Sequence, residues 1–150
     1  MVFAAKAAHV VFQAAGAHPN GDPGDVRILE IELKAGAKNR LKVRAFSYFD
    51  DQSKVRKIAS RSTRIDEDCW NHLLLEWKAA SDNGVPDGFT RLSLIGGSRA
   101  GKSVEISGRV LDQRHALDIA RMGVIRGVDA TTSGSCHFDT FESYRTLASQ

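Results

Sequence analysis

The chain has 150 residues, 42% of them apolar and 26% charged, the balance of an ordinary globular domain with a workable core. No apolar run approaches the ~20 residues of a membrane helix, and two cysteines, Cys69 and Cys136, are too few for a disulfide framework and point to a reducing, cytoplasmic compartment. The formal net charge of +3 conceals an asymmetry: residues 34–64 hold ten Lys and Arg against two acids, Asp50 and Asp51, so that segment carries +8 and the remainder −5. Such a distribution is the electrostatic footprint of a protein that meets nucleic acid.

Residues 3–15 suit either regular element: the alanines favour helix, while His9-Val10-Val11-Phe12 suits a strand. His9 and Gln13 interrupt the apolar stretch, so a signal or transit peptide is not expected there. Residues 16–25 read as loop by their glycine and proline content, and residues 1–25 are set apart as a candidate for a loosely attached segment. Val26 to Lys34 alternates, Leu29, Ile31 and Leu33 against Glu30, Glu32 and Lys34, which predicts a half-buried strand. Arg40 to Phe49 alternates again, with Leu41, Val43, Ala45 and Phe49 on one face and Arg40, Lys42, Arg44, Phe46 and Tyr48 on the other. A third, more polar strand is expected over 54–65.

Asp66 then reads as a helix N-cap, with Ile65 and Trp70 as a hydrophobic staple. Trp70, Leu73, Leu74 and Trp77 fall at i, i+3, i+4 and i+7, a core-facing stripe, and Asn83-Gly84 closes the helix. Phe89 to Ile95 and Ser103 to Val110 read as two further strands. A helix from Asp112 to about Met122, stopped by Gly123, and a terminal one over Thr140 to Ala148 complete the reading. The expectation is a single α+β domain over residues 1–150: an antiparallel sheet of about five strands with two to three helices.

Gly96 to Ser103, GGSRAGKS, fits the phosphate-cradling loop G-x-x-x-x-G-K-[ST]. Such a loop must open a helix, whose N-terminus faces the phosphates. Here Val104, Ile106, Gly108 and Val110 alternate with polar residues, a strand period, so a hairpin turn carrying Arg99 and Lys102 is the expectation. Asp25 and Glu32-Leu33-Lys34 have the residue types of a metal-dependent nuclease, but on one strand the two acids stand roughly 23 Å apart, too far for one metal. Cys69-x-x-His72 and the adjacent Cys136-His137 make poor zinc spacing, and His9, His18 and His115 are scattered. No catalytic constellation emerges, so neither an enzyme nor a metal or other cofactor is expected.

What remains is the strand face on which Arg40, Lys42 and Arg44 run in register into Phe46 and Tyr48. Cations that track phosphates beside aromatics that stack bases make a sequence-tolerant platform for a single strand. Residues 43–73, VRAFSYFDDQSKVRKIASRSTRIDEDCWNHL, resemble the core of the positive cofactor four family of transcriptional coactivators and, more distantly, the Whirly proteins. Tyr48, Phe49 and Asp51 resemble that family's strand end, Lys57 and Arg61 its basic strand, and Asp68, Trp70 and Leu73 its helix. Ile58-Ala59 and Ser62 stand where the family has glycine-containing turns. The resemblance implies a curved antiparallel sheet, a helix that supports dimerisation, and single-stranded nucleic-acid binding without catalysis.

The leading expectation is therefore a non-catalytic binder of single-stranded DNA or RNA. It is expected to be a homodimer or other homo-oligomer away from membranes, nuclear or nucleoid-bound if its partner is DNA. The candidate contacts are Arg40, Lys42, Arg44, Lys54, Arg56, Lys57, Arg61, Arg99 and Lys102 with backbone, and Phe46 and Tyr48 with bases. The alternative is an assembly subunit or adaptor whose hairpins form protein interfaces; a nucleotide-binding protein ranks third.

Overall fold

The computed structural model describes residues 8–17, 25–35, 40–51, 54–67, 69–82, 85–107, 117–128, 130, 132 and 135–144. The strands are β1 (Ala8–Ala17), β2 (Asp25–Ala35), β3 (Leu41–Asp51), β4 (Lys54–Ala59), β5 (Thr63–Arg64), β6 (Leu73–Lys78), β7 (Phe89–Leu94), β8 (Ser103–Ser107) and β9 (Ile119–Arg126). They form two antiparallel sheets, one in the order β4-β3-β2-β1-β9 with β5 also on β3, the other β6-β7-β8.

Period-2 alternation accounts for how the sheets stack. Ile31, Leu33, Val43 and Ala45 present one face of the larger sheet to Leu92 and Leu94 of the smaller, with Val11 and Ile65 in the same buried cluster. Leu73, Leu75 and Val104 pack against it from the flanking strands. Each buried Leu or Val contributes about 1.5–3 kcal/mol of transfer free energy, which makes this shared layer the main apolar contribution to the fold.

The expected α+β class is overturned. Among the described residues there is no helix, and the protein is all-β there. The largest correction is at residues 66–83, expected as a helix. Leu73-Leu74-Leu75 satisfies both the helical and the strand period. The chain takes the second, and Leu73, Leu75 and Trp77 stand opposite Leu94, Leu92 and Thr90. A strand here places three large side chains over the inner layer and pairs with β7; Trp70, meant for a core stripe, is exposed. Asp66 caps no helix, and Asn71 knits the 66–71 loop by accepting from Asp66 N and donating to Asp66 O and Cys69 O. The helix implied by the resemblance over Asp68 to Leu73 is therefore not formed among the described residues.

The second expected helix fails at its C-terminal half: Ile119 to Met122 belong to β9 and pair with Ala15 to Phe12, while residues 108–116 lie outside the described residues. Residues 119–126 complete the exposed edge of β1, a gain that local helix propensity cannot offset. Glycine is required where β9 leaves β1, because a Cβ at Gly127 would lie 2.0 Å from the Ala8 carbonyl oxygen. Of the third expected helix, Thr140 to Tyr144 is irregular, with the Phe141 ring 6.1 Å from that of Phe12. β1 itself is an interior strand, paired to β2 and β9.

The strand expected over 54–65 is two. β4 pairs the far half of β3 and β5 the near half, with a break at Ser60. Ser60 holds the break: its N–H donates to Ala45 O (2.9 Å), and its buried Oγ accepts from Ala45 N (3.0 Å) and donates to Arg61 O (2.7 Å). Replacing Ser60 by Ala orphans a buried amide, so S60A is expected to cost about 1–3 kcal/mol in urea denaturation, with faster hydrogen exchange at the Ala45 amide.

Candidate functional site

The register across β2, β3, β4 and β5 arranges the outer face of the larger sheet in rows. Lys34 stands opposite Lys42, and Lys42 opposite Arg64, so three cations lie in line across three neighbouring strands. Like charges directly opposite one another destabilise a sheet. None of Lys34, Lys42 and Arg64 has an ion-pair partner among the described residues, and neither do Arg40 and Arg61. Arg40, Arg61 and Arg64 are exposed and Lys42 is half-buried.

The adjoining rows are neutralised internally. Arg44 faces Glu32, with its guanidinium 2.7 Å from the carboxylate. Glu30 is 0% exposed. It accepts from Gln13 Nε2 (3.3 Å), Lys57 Nζ (3.5 Å), the Tyr48 hydroxyl and Arg126. A buried carboxylate is tolerated only with such a set of donors.

Phe46 and Tyr48 lie in these neutralised rows and are each only 5% exposed. Lys57 Nζ stands 3.6 Å and the Arg44 guanidinium carbon 4.6 Å from the Phe46 ring centroid. Arg27 and Lys57 flank Tyr48 at 5.4 and 5.5 Å. The ring faces that base stacking needs are thus engaged by the protein's own cations. Arg44 and Phe46 stand in register with Glu32 and Glu30, but the burial of the two glutamates is not legible in the sequence, because alternation assigns both to solvent. Lys54 and Arg56 stand on β4 opposite Asp51 and Phe49.

The GGSRAGKS string is the turn between β7 and β8. Leu94 N donates to Lys102 O and Gly101 N to Leu94 O, both at 2.8 Å. Gly97 and Gly101 take positive φ values of 89° and 85°, and Ser103 opens a strand. The turn is fastened to the 65–72 loop: Arg99 Nε donates to Asp66 Oδ1 at 2.9 Å, Ser98 Oγ to Asp66 Oδ2, and Ile95 N to His72 O at 2.9 Å. Arg99 and Lys102 remain exposed.

This docking brings Arg99 beside the near end of β3 and β5. Arg40, Leu41, Arg64, Ile65, Glu67 and Arg99 line an open pocket of about 380 Å³. Arg40 and Arg99 are legible in the sequence as candidate contacts; Arg64 and Lys34 are legible only as part of the basic segment, since nothing local marks which of its ten cations share a row. Glu67 and Asp66 were missed as site residues, Asp66 because a cap signal and a turn anchor use the same residue type. Among the described residues no group of three His, Cys, Asp or Glu is gathered to hold a metal ion. Cys69 is exposed in the 65–72 loop, and Cys136, partly buried against the inner layer, has its thiol pKa pushed up by burial.

No family model matches the chain, and neither a curated protein nor a solved structure matches it significantly.

The Asp66 carboxyl is held below its ordinary 3.8, chiefly by the Ser98 hydroxyl and then by Arg99. Because the folded value lies below the unfolded one, the anchor's contribution is complete above pH 3.8 and is lost as pH falls through the folded value. Amide NMR from pH 6 to pH 2.5 is expected to show residues 96–102 loosening at the acid end, and Asp66→Asn to loosen the same residues at every pH.

Proposed function

We propose that the protein is a non-catalytic binder of single-stranded nucleic acid that holds backbone phosphates on the outer face of its larger sheet. The observation that carries this reading is the row Lys34, Lys42 and Arg64. Adjacent strands are separated by about 4.8 Å, so the row spans roughly 10 Å. An anionic backbone laid along it relieves the mutual repulsion of the cations. The preference for a single strand rests on the strand part of the resemblance to the positive cofactor four family, at Tyr48, Phe49, Asp51, Lys57 and Arg61, since the helix it implies is not formed among the described residues. Phosphate contact, rather than stacking, supplies the affinity, because Phe46 and Tyr48 are covered.

Fluorescence anisotropy with labelled oligonucleotides across salt tests this. Three phosphate contacts, at Lys34, Lys42 and Arg64, predict a slope of log K against log salt near about −2, and Lys42→Gln removes about 0.7 of it. Phe46→Leu is expected to change affinity less than about twofold, whereas a stacking platform loses about 1–3 kcal/mol per base. Affinity unaffected by salt defeats the reading.

A second reading, an assembly subunit, is favoured by β9, an end strand of the larger sheet that exposes Ile119, Met122 and Val124. An apolar sheet edge is a template for pairing with another chain. Light scattering after size exclusion distinguishes the two: a defined large oligomer indifferent to oligonucleotide favours assembly.

A further inference from the structure

We infer that the pocket formed by Arg40, Arg64 and Arg99 is a site for a phosphate monoester, the terminal phosphate of a strand bound along the adjoining cation row. The inference rests on the proposed function, because Arg64 is both the end of that row and a wall of the pocket.

The three guanidinium groups come from separate segments: Arg40 just before β3, Arg64 from β5, and Arg99 from the β7–β8 turn. Nothing local in the chain forces them together; the docking of the turn through Asp66 does. Arg40 and Arg64 have no ion-pair partner among the described residues. Arg99 meets Asp66 through Nε, which fixes the plane of its guanidinium. Arginine is suited to such a role because its planar fork meets two phosphate oxygens at once.

The number of free oxygens selects the monoester. The pocket lining carries three guanidiniums and one carboxylate, Glu67, whose Oε1 already accepts from Leu41 N at 3.1 Å. With Asp66 on Arg99 counted as well, a surplus of one positive charge remains, so an anion is favoured there. A phosphate monoester presents three terminal oxygens, one for each guanidinium, whereas an internal phosphodiester presents only two. The volume, about 380 Å³, lies at the small end of ligand pockets, which run from about 300 to 1,000 Å³. It accommodates a phosphate with its sugar and is open enough for the strand to continue outward.

The test compares one oligonucleotide bearing a 5′-phosphate, a 3′-phosphate or hydroxyls at both ends, by anisotropy at fixed salt, alongside calorimetry with a nucleoside monophosphate and with inorganic phosphate. A terminal phosphate is expected to tighten binding about tenfold. Arg99→Gln and Arg40→Gln are expected to abolish that preference while circular dichroism stays unchanged. Lys42→Gln, on the row but outside the pocket, is expected to weaken all three oligonucleotides alike. Binding of the free monophosphate that is lost in Arg40→Gln, with no oligonucleotide binding, upholds the pocket and overturns the polynucleotide reading. Equal affinity for phosphate and hydroxyl ends, with no free monoester bound, overturns the pocket. A retained salt slope in that case leaves backbone binding standing.

Discussion

Glu30 holds the larger sheet together. Its carboxylate lies at the middle of β2 with no exposed surface, and its donors come from four other strands: Gln13 on β1, Tyr48 on β3, Lys57 on β4 and Arg126 on β9. Burying a charge is costly unless every partner is in place, so the strands that supply them are fixed in register and order. The inner apolar layer already resists a one-residue slip, which would turn every side chain of a strand to the other face, and Glu30 adds a polar constraint on the outer face. This buried charge, with Glu32 also buried on the same strand, thus constrains the sheet from its outer face.

The same network divides the outer face into two electrostatic halves. Glu30 and Glu32 absorb Arg44, Lys57 and Arg126, and two of these cations also cover Phe46 or Tyr48. Two residues further along the same strands no acid stands opposite, and Lys34, Lys42 and Arg64 have no ion-pair partner among the described residues. The net charge of the basic segment therefore overstates what the surface presents to a partner. Its effective part is the end nearest Arg40 and the β7–β8 turn, where Asp66 positions Arg99 at the same time as it consumes part of its charge.

Legibility in the sequence follows from how many periods a segment can satisfy. ILEIELK and RLKVRAFSYF read as strands by alternation, and strands form there, although Glu30, Glu32, Phe46 and Tyr48 on the face assigned to solvent are buried. The β7–β8 hairpin was legible for the same reason, and the glycines of its turn take the positive φ values that such a turn requires. LLLEWK was not, because three consecutive leucines fit a helix stripe and an alternating strand equally well, and the choice is made by β7 and the inner layer rather than locally. IARMGVIR lacks alternation altogether and becomes a strand only because β1 needs a second neighbour. At the site, composition identified the basic segment, but neutralisation by Glu30 and Glu32 and convergence on the pocket are properties of the folded register.

The pairing of β1 with β9 joins strands far apart in the sequence: Val10 stands opposite Arg126. Formation of this ladder closes a very long loop, the slowest class of contact to form. During synthesis β1 to β4 can assemble as a meander well before β9 leaves the ribosome, and until then the open edge of β1, with Val10, Phe12 and Ala14 along it, is a template for any other nascent strand. The last strand therefore acts as a cover for the first.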